Sequence, residues 1–245
     1  MLNLKAFFFL HIQFTVLCIA HAQPGSDQQL TANHQKEVLY DQLVTTLNPE
    51  LVNGPEYFVS FSGGATNPFY GSMEVSSNQL WYDNQFYSNV NLLYDIYSDL
   101  LILRYKSKTG LFNLIELDQS KVKGFTLHQH RFQKMTSPWP SARKEHGFYD
   151  LIYEGKSLML ISKRIKSESQ TITQVEYKED DRYYVIINNH WIYLAAPRIL
   201  LGLTKDKTKI KAFIKSKKIR LKRMRESDLK EIAIFCDSFI YPLKP

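Results

Sequence analysis

Two imidazoles two residues apart, His128 and His130, are the side chains whose type and spacing come closest to a reactive centre. On an extended strand residues i and i+2 share a face, so both rings could ligate one metal ion, with His146 or His190 as a third ligand. Thr126 and Phe132 would share that face, which is not the make-up of a ligand shell. Carboxylates offer a second chemistry. Asp83, Asp95, Asp99 and Glu116 fall in one region and could supply the acid and base of a hydrolase. Turn formation explains Asp83 as well, and an alternating polar face explains Asp95. Ser62-Gly63-Gly64 lacks both the G-x-S-x-G elbow and the G-K-[ST] ending of a phosphate loop, and reads as a plain loop. No catalytic signature stands out, and no cofactor is implied.

Charge supplies a third candidate. The chain carries a formal +7, and the excess is local: residues 203–230 hold twelve Lys/Arg against three Asp/Glu. Lys211, Lys215, Lys218, Arg220 and Lys222 are the cations of this stretch that could meet an anionic envelope surface. Interleaved Ile210, Phe213, Ile214, Ile219 and Leu221 would face a core, so a solvated helix face is the plainer reading. Nucleic acid is not an expected partner for an exported chain.

The elements that must position these groups are mostly strands. From residue 80 to Leu117 apolar or aromatic residues alternate with polar ones, with Val90, Leu92 and Tyr94 on one face. A period of two broken by turns every ~8–12 residues marks an antiparallel sheet. Asp83-Asn84, Glu154-Gly155-Lys156 and Asn188-Asn189 sit where hairpins need turn residues. VKGFTLHQHRF reads as one strand, and roughly nine or ten strands are expected in all, with no helix-length run between them. From residue 198 the period changes. Ile210, Phe213 and Ile214 predict a short helix, and Leu229, Ile232, Ala233, Cys236 and Ile240 stripe a last one, with Asp228 and Glu231 as its capping box and Pro242 closing it. The fold class is therefore mainly β (α+β): an antiparallel β-meander, open or half-barrel, followed by helices. Its concave face could form an apolar groove, with Trp81, Tyr82 and Tyr94 as ligand contacts.

The first twenty-two residues read as a signal peptide: Lys5, an apolar run over residues 6–20, and Ala20-His21-Ala22 as the cleavage pattern. Leu17 before Cys18 argues against a lipoprotein signal, and the run is short for a span of ~20 residues. Cleavage leaves Cys236 as the only cysteine, so no intramolecular disulfide is available. Residues 23–52 form a flexible lead-in with a weak helix around Val38, Leu39, Leu43 and Leu47, residues 53–197 the β domain, and residues 198–245 the basic helices. Residues 134–146, with Trp139 between two prolines, form a loop.

The succession NGPEY (53–57), NPFYGS (67–72), LWYDNQFYSNVNLLYDIYSDLL (80–101), VKGFTL, GFYDLIYEGK (147–156), DRYY (181–184) and a Lys-rich terminal helix pair resembles a family of exported proteins of Bacteroidota-type bacteria. In that family a Y-D-G or Y-D-N turn, an L-Y-D repeat and a G-F-Y…L-Y-x-G-K hairpin occur in this order. The likeness covers nearly the whole mature chain and departs at Asn84, where glycine is commoner, and at Trp139. It implies an exported, mainly β protein with no established activity. The expectation is thus a non-enzymatic binding or envelope-associated protein of the periplasm or medium. The alternatives are a secreted hydrolase, built on sheet-face carboxylates or on His128 and His130, and peripheral association with an anionic envelope through residues 205–225.

Overall fold

Hairpins turn where the chain carries residues able to hold positive φ. Asp83 (φ 47°) and Asn84 (φ 64°) join β1 (Ser77–Tyr82) to β2 (Gln85–Asp95). Asn188 (φ 51°) and Asn189 (φ 63°) join β11 (Arg182–Ile187) to β12 (His190–Tyr193). Such two-residue loops match the right-handed twist of the strands they connect. A third turn departs from the sequence reading. His128 (φ 49°) and Gln129 (φ 67°) break the expected single strand into β5 (Val122–Leu127) and β6 (His130–Met135).

The computed structural model describes residues 51–59, 66–74, 77–107, 110–136, 147–170, 175–204 and 206–239, all within the compact unit Asp41–Pro245. The signal segment, the weak helix, the Ser62-Gly63-Gly64 loop, Trp139, His146, Ile240 and Pro242 lie outside the described residues. The remaining strands are β3 (Leu100–Lys106), β4 (Phe112–Glu116), β7 (Gly147–Glu154), β8 (Leu158–Lys163), β9 (Lys166–Gln170) and β10 (Val175–Glu179). Ten strands form an open antiparallel sheet in the order β12-β11-β8-β7-β6-β5-β1-β2-β3-β4, while β9 and β10 pair as a ribbon. The expected mainly β class holds. The order is not a plain meander, because β5 returns to pair with β1 and not with β4.

Length and a bulge in β2 explain that return. Its first part, Gln85–Asn91, pairs with β1, and its last part, Leu92–Asp95, pairs with β3. Asn89 (φ 58°) is an extra residue within the first part, since Gln79 faces Ser88 while Asn78 faces Val90. A bulge of this kind bends its strand and lets it serve two layers. The β2 edge left open beyond β1 is taken by Phe69, which bridges Asp95, with Tyr70 N–H donating to Tyr94 C=O at 2.8 Å. The sheet curls so far that the rings of Tyr94 on β2 and Phe148 on β7 meet at 5.8 Å, although three strands separate them.

The curl encloses one core of rings. Tyr94, Phe125, Phe132 and Phe148 pack at centroid distances of 4.8–5.8 Å, and all are at most 1 % exposed. A second core lies where the helices cover the other end of the sheet. Helix α1 (Lys207–Ser216) starts at Asp206, whose carboxylate accepts from Lys209 N–H at 3.2 Å, and buries Ile210 and Ile214. Helix α2 (Glu226–Asp237) buries Leu229, Ile232, Ala233 and Cys236 against Leu160 and Val185. The stripe is as expected, but Asp228 is not the helix cap. It stands one turn in, and its carboxylate accepts from the Arg225 backbone N–H at 2.9 Å. Burial pushes the Cys236 thiol up to about 11, leaving it an inert core group.

The last residue of α2 fastens it to the β7–β8 hairpin. The Asp237 carboxylate accepts from Lys156 N–H (3.0 Å), Ser157 N–H (2.8 Å) and the Tyr153 hydroxyl (3.0 Å). Burial would raise this carboxyl, but the bonds from Ser157, Lys156 and Tyr153 outweigh it and hold the group below the usual carboxylate range. Asp237→Ala is expected to lower stability by about 2–3 kcal/mol, read from urea unfolding at neutral pH. A carboxyl depressed in the folded state stabilises fully above its unfolded value of ~3.9 and loses that contribution as pH falls through the folded value. The stability gap between wild type and Asp237→Ala therefore narrows as the solution is acidified below that range. A gap that stays constant would contradict the clamp.

Candidate functional site

A polar seam divides the two cores on the inner face of the sheet. The register Phe132–Asp150, Asp150–Ser162 and Ser162–Tyr183 lays one row across β6, β7, β8 and β11. Residues opposite one another in antiparallel strands share a face, and so do residues two apart along a strand. His130, two before Phe132, and Arg164, two beyond Ser162, therefore join this row from β6 and from the end of β8. Glu226 comes from the first turn of α2, and Asp181 from just before β11.

Arg164 is the hub. Its Nε donates to Asp150 Oδ2 at 3.0 Å, with Nη2 also on that oxygen; Nη1 reaches Asp181 Oδ2 at 2.7 Å, and Nη2 reaches Glu226 Oε2 at 2.7 Å. Tyr70 and Tyr183 flank the guanidinium at 5.6 and 6.0 Å, and the Tyr183 hydroxyl donates to Glu226 Oε2 at 3.1 Å. Burial works against the Arg164 charge, but Asp150 and Asp181 beside it hold the group protonated more firmly than usual. The sharing is uneven for the acids: burial lifts the Asp181 carboxyl above its usual range even though Arg164 pulls it down. His130 Nδ1 lies 2.8 Å from the same Asp150 Oδ2. Asp150 is fully buried, and its other oxygen, Oδ1, has no hydrogen-bond partner among the described residues. A shallow cavity of about 370 Å³ opens over the seam, lined by Tyr70, Gly71, Ile96, His130, Arg164, Glu179, Asp181 and Glu226.

Two further buried cations brace the curl. Lys163, 2 % exposed, donates to Asp99 Oδ2 at 2.8 Å, and Asp99 Oδ1 accepts from the Tyr94 hydroxyl at 2.5 Å. Lys166 Nζ donates to the carbonyls of Asn67 (2.9 Å) and Phe69 (2.6 Å), tying the segment after β8 to the strip that borders β2. Burial pushes both ammonium groups below their ordinary values.

The residues singled out in the sequence are distributed differently from expectation. His128 occupies a turn, with Nε2 3.2 Å from Ser72 C=O, and not the strand position that would set it on one face with His130; both rings pack on Tyr70, at 6.3 and 5.5 Å. His190 is exposed, beside Asn188 C=O, and belongs to neither. Trp81 packs on Phe86 at 5.0 Å on the outer face, while Tyr82 and Tyr94 are buried among the core rings. With Tyr82 and Tyr94 packed into the buried core and Trp81 outside it, these three line no common groove. Asp83 pairs with Lys121 at 3.2 Å, Asp95 accepts from Tyr57 and from the amides of Tyr97 and Ser98, and Asp99 holds Lys163. Turn and core duties thus engage three of the four candidate carboxylates. Lys211, Lys215, Lys218, Arg220 and Lys222 are all exposed.

Sequence reasoning missed Arg164, Asp150 and Glu226. The available signal was a charge inside an apolar strand pattern, Asp150 in FYDLIY and Arg164 just after LMLISK. Nothing local marks Glu226.

Fold and site together define an open, curled antiparallel sheet with a buried ionic seam and a cationic helical layer. No family model, curated protein or solved structure matches the chain. Among the described residues no helix is long and apolar enough to cross a membrane.

Proposed function

We propose that this is an exported, non-enzymatic binding protein that associates with an anionic envelope surface through its C-terminal helical layer. The observation that carries the reading is the row Lys207, Lys211, Lys215 and Lys218. Their spacing puts them on one flank of α1 and its exit, and all four are exposed with no ion pair among the described residues. Arg220, Lys222, Arg223 and Lys230 are likewise exposed and without an ion pair among those residues. The lysines that do pair, Lys209 with Asp206 and Lys217 with Glu231, lie on the opposite flank.

Each cation near an anionic surface contributes about 1 kcal/mol of attraction. A row of four is enough for reversible association without a membrane span. The signal-like first twenty-two residues and the resemblance to exported proteins support the compartment. The close packing of Tyr94, Phe125, Phe132 and Phe148 within the curl favours surface contact over the carriage of a buried lipid. The engagement of Asp83 with Lys121, of Asp95 with Tyr57 and backbone amides, and of Asp99 with Lys163 likewise favours binding over hydrolysis.

The test is localisation in an exporting bacterial host. Wild type should sediment with the envelope fraction and come off in high salt, whereas Lys211→Glu/Lys215→Glu/Lys218→Glu should appear in the soluble fraction. Equal envelope recovery of both proteins, insensitive to salt, would overturn the proposal.

A further inference from the structure

The seam holds more negative charge than its hub neutralises. Asp150, Asp181 and Glu226 all contact the single guanidinium of Arg164, and Glu179 stands on the cavity rim. A ring nitrogen of His130, a carboxylate oxygen of Asp150 and one of Glu226 lie within 4.8 Å of one another. The other Asp150 oxygen, Oδ1, is buried without a hydrogen-bond partner among the described residues, a costly state for a carboxylate unless something positive meets it.

We propose that His130, Asp150 and Glu226 form a binding site for one divalent transition-metal ion of the zinc class. Imidazole together with two carboxylates is a donor set that zinc and manganese accept, and that calcium or magnesium, which favour oxygen alone, do not. Arg164 need not leave. Asp150 keeps Oδ2 on the guanidinium and offers Oδ1 to the ion, so Arg164 orients the ligand from behind. Ligand atoms around a tetrahedral zinc stand roughly 3.4 Å apart, so separations of up to 4.8 Å have to close by at most about 1.4 Å. The side chains that must move are His130, 36 % exposed, and Glu226, 30 % exposed, while Asp150 stays fixed in the sheet. Three protein ligands leave a fourth position, and the cavity beside His130 and Glu226 gives it access to solvent.

The experiment uses the mature chain, stripped with chelator and titrated with Zn²⁺ by calorimetry and with Co²⁺ by visible absorption. One equivalent should bind, with the d–d bands of a low-coordinate cobalt site and a shift of the His130 ring resonances. His130→Gln and Glu226→Gln should each weaken binding by about tenfold or more, while His128→Gln leaves it unchanged. Circular dichroism confirms that each variant is folded, and the resonance shift in the unaltered protein stands independently of all of them. Absence of saturable binding, or binding that survives both substitutions, would overturn the assignment and leave the seam an ion-pair lock between the two cores. Equal loss in His128→Gln would place the ion elsewhere and overturn it too. The outcome is independent of surface association through α1, which these substitutions do not touch.

Discussion

Replacing Arg164 with alanine is expected to destabilise the fold by about 3–5 kcal/mol, the usual result of leaving a buried charge without its partner. Asp150 sits fully buried behind the guanidinium and, among the described residues, has only His130 as a second partner on Oδ2. Asp181 and Glu226 lose the same cation, and with Glu226 goes the ionic tie between α2 and the sheet. Arg164→Lys restores the charge but not the planar fork that reaches three carboxylates at once, so it should recover only part of the loss. Urea unfolding of the three proteins at neutral pH checks this. A loss below about 1 kcal/mol in the alanine variant is what an exposed ion pair would give, and would mean that the seam is solvated.

Tyr94 is the second position where a large effect is expected. Its ring touches Phe125, Phe132 and Phe148 at 5.3, 5.3 and 5.8 Å, so it joins β2 to the strands across the curl. Tyr94→Ala should cost about 3–5 kcal/mol, the range for removing a buried aromatic and leaving a void. Tyr94→Phe keeps the ring and removes one bond to Asp99, so about 1–2 kcal/mol is expected. Burial and then Asp99 raise the phenol far above its ordinary value, so it stays the donor in this bond. If the two variants lose the same amount, the ring contacts are not what holds the curl.

How much of this was legible in the sequence follows from what is local. Asp83-Asn84 and Asn188-Asn189 announce their hairpins because Asn and Asp adopt positive φ at little cost. His128-Gln129 adopts the same turn without either residue type, so the sequence pattern runs on as one strand and puts the two histidines on a common face. The alternation of Val90, Leu92 and Tyr94 identifies a buried face, but a strand pattern does not reveal that the sheet curls over its own side chains, so Tyr94 reads as a groove residue. The C-terminal stripes were readable at a period of 3.6. The seam was not, since Asp150, Arg164, Asp181 and Glu226 are joined by register and by helix docking, and each looks like an ordinary charge where it stands. The return of β5 to β1 rests on a bulge at Asn89, which no residue type in that strand required.

The measurement that tests the central claim most directly is co-sedimentation of residues 23–245 with phosphatidylcholine vesicles, with and without phosphatidylglycerol, at low and at high salt. The account predicts binding only to the anionic vesicles, release on raising the salt, and about a hundredfold weaker binding for Lys211→Glu/Lys215→Glu/Lys218→Glu. Binding to both vesicle types alike, or no binding to either at low salt, would contradict it.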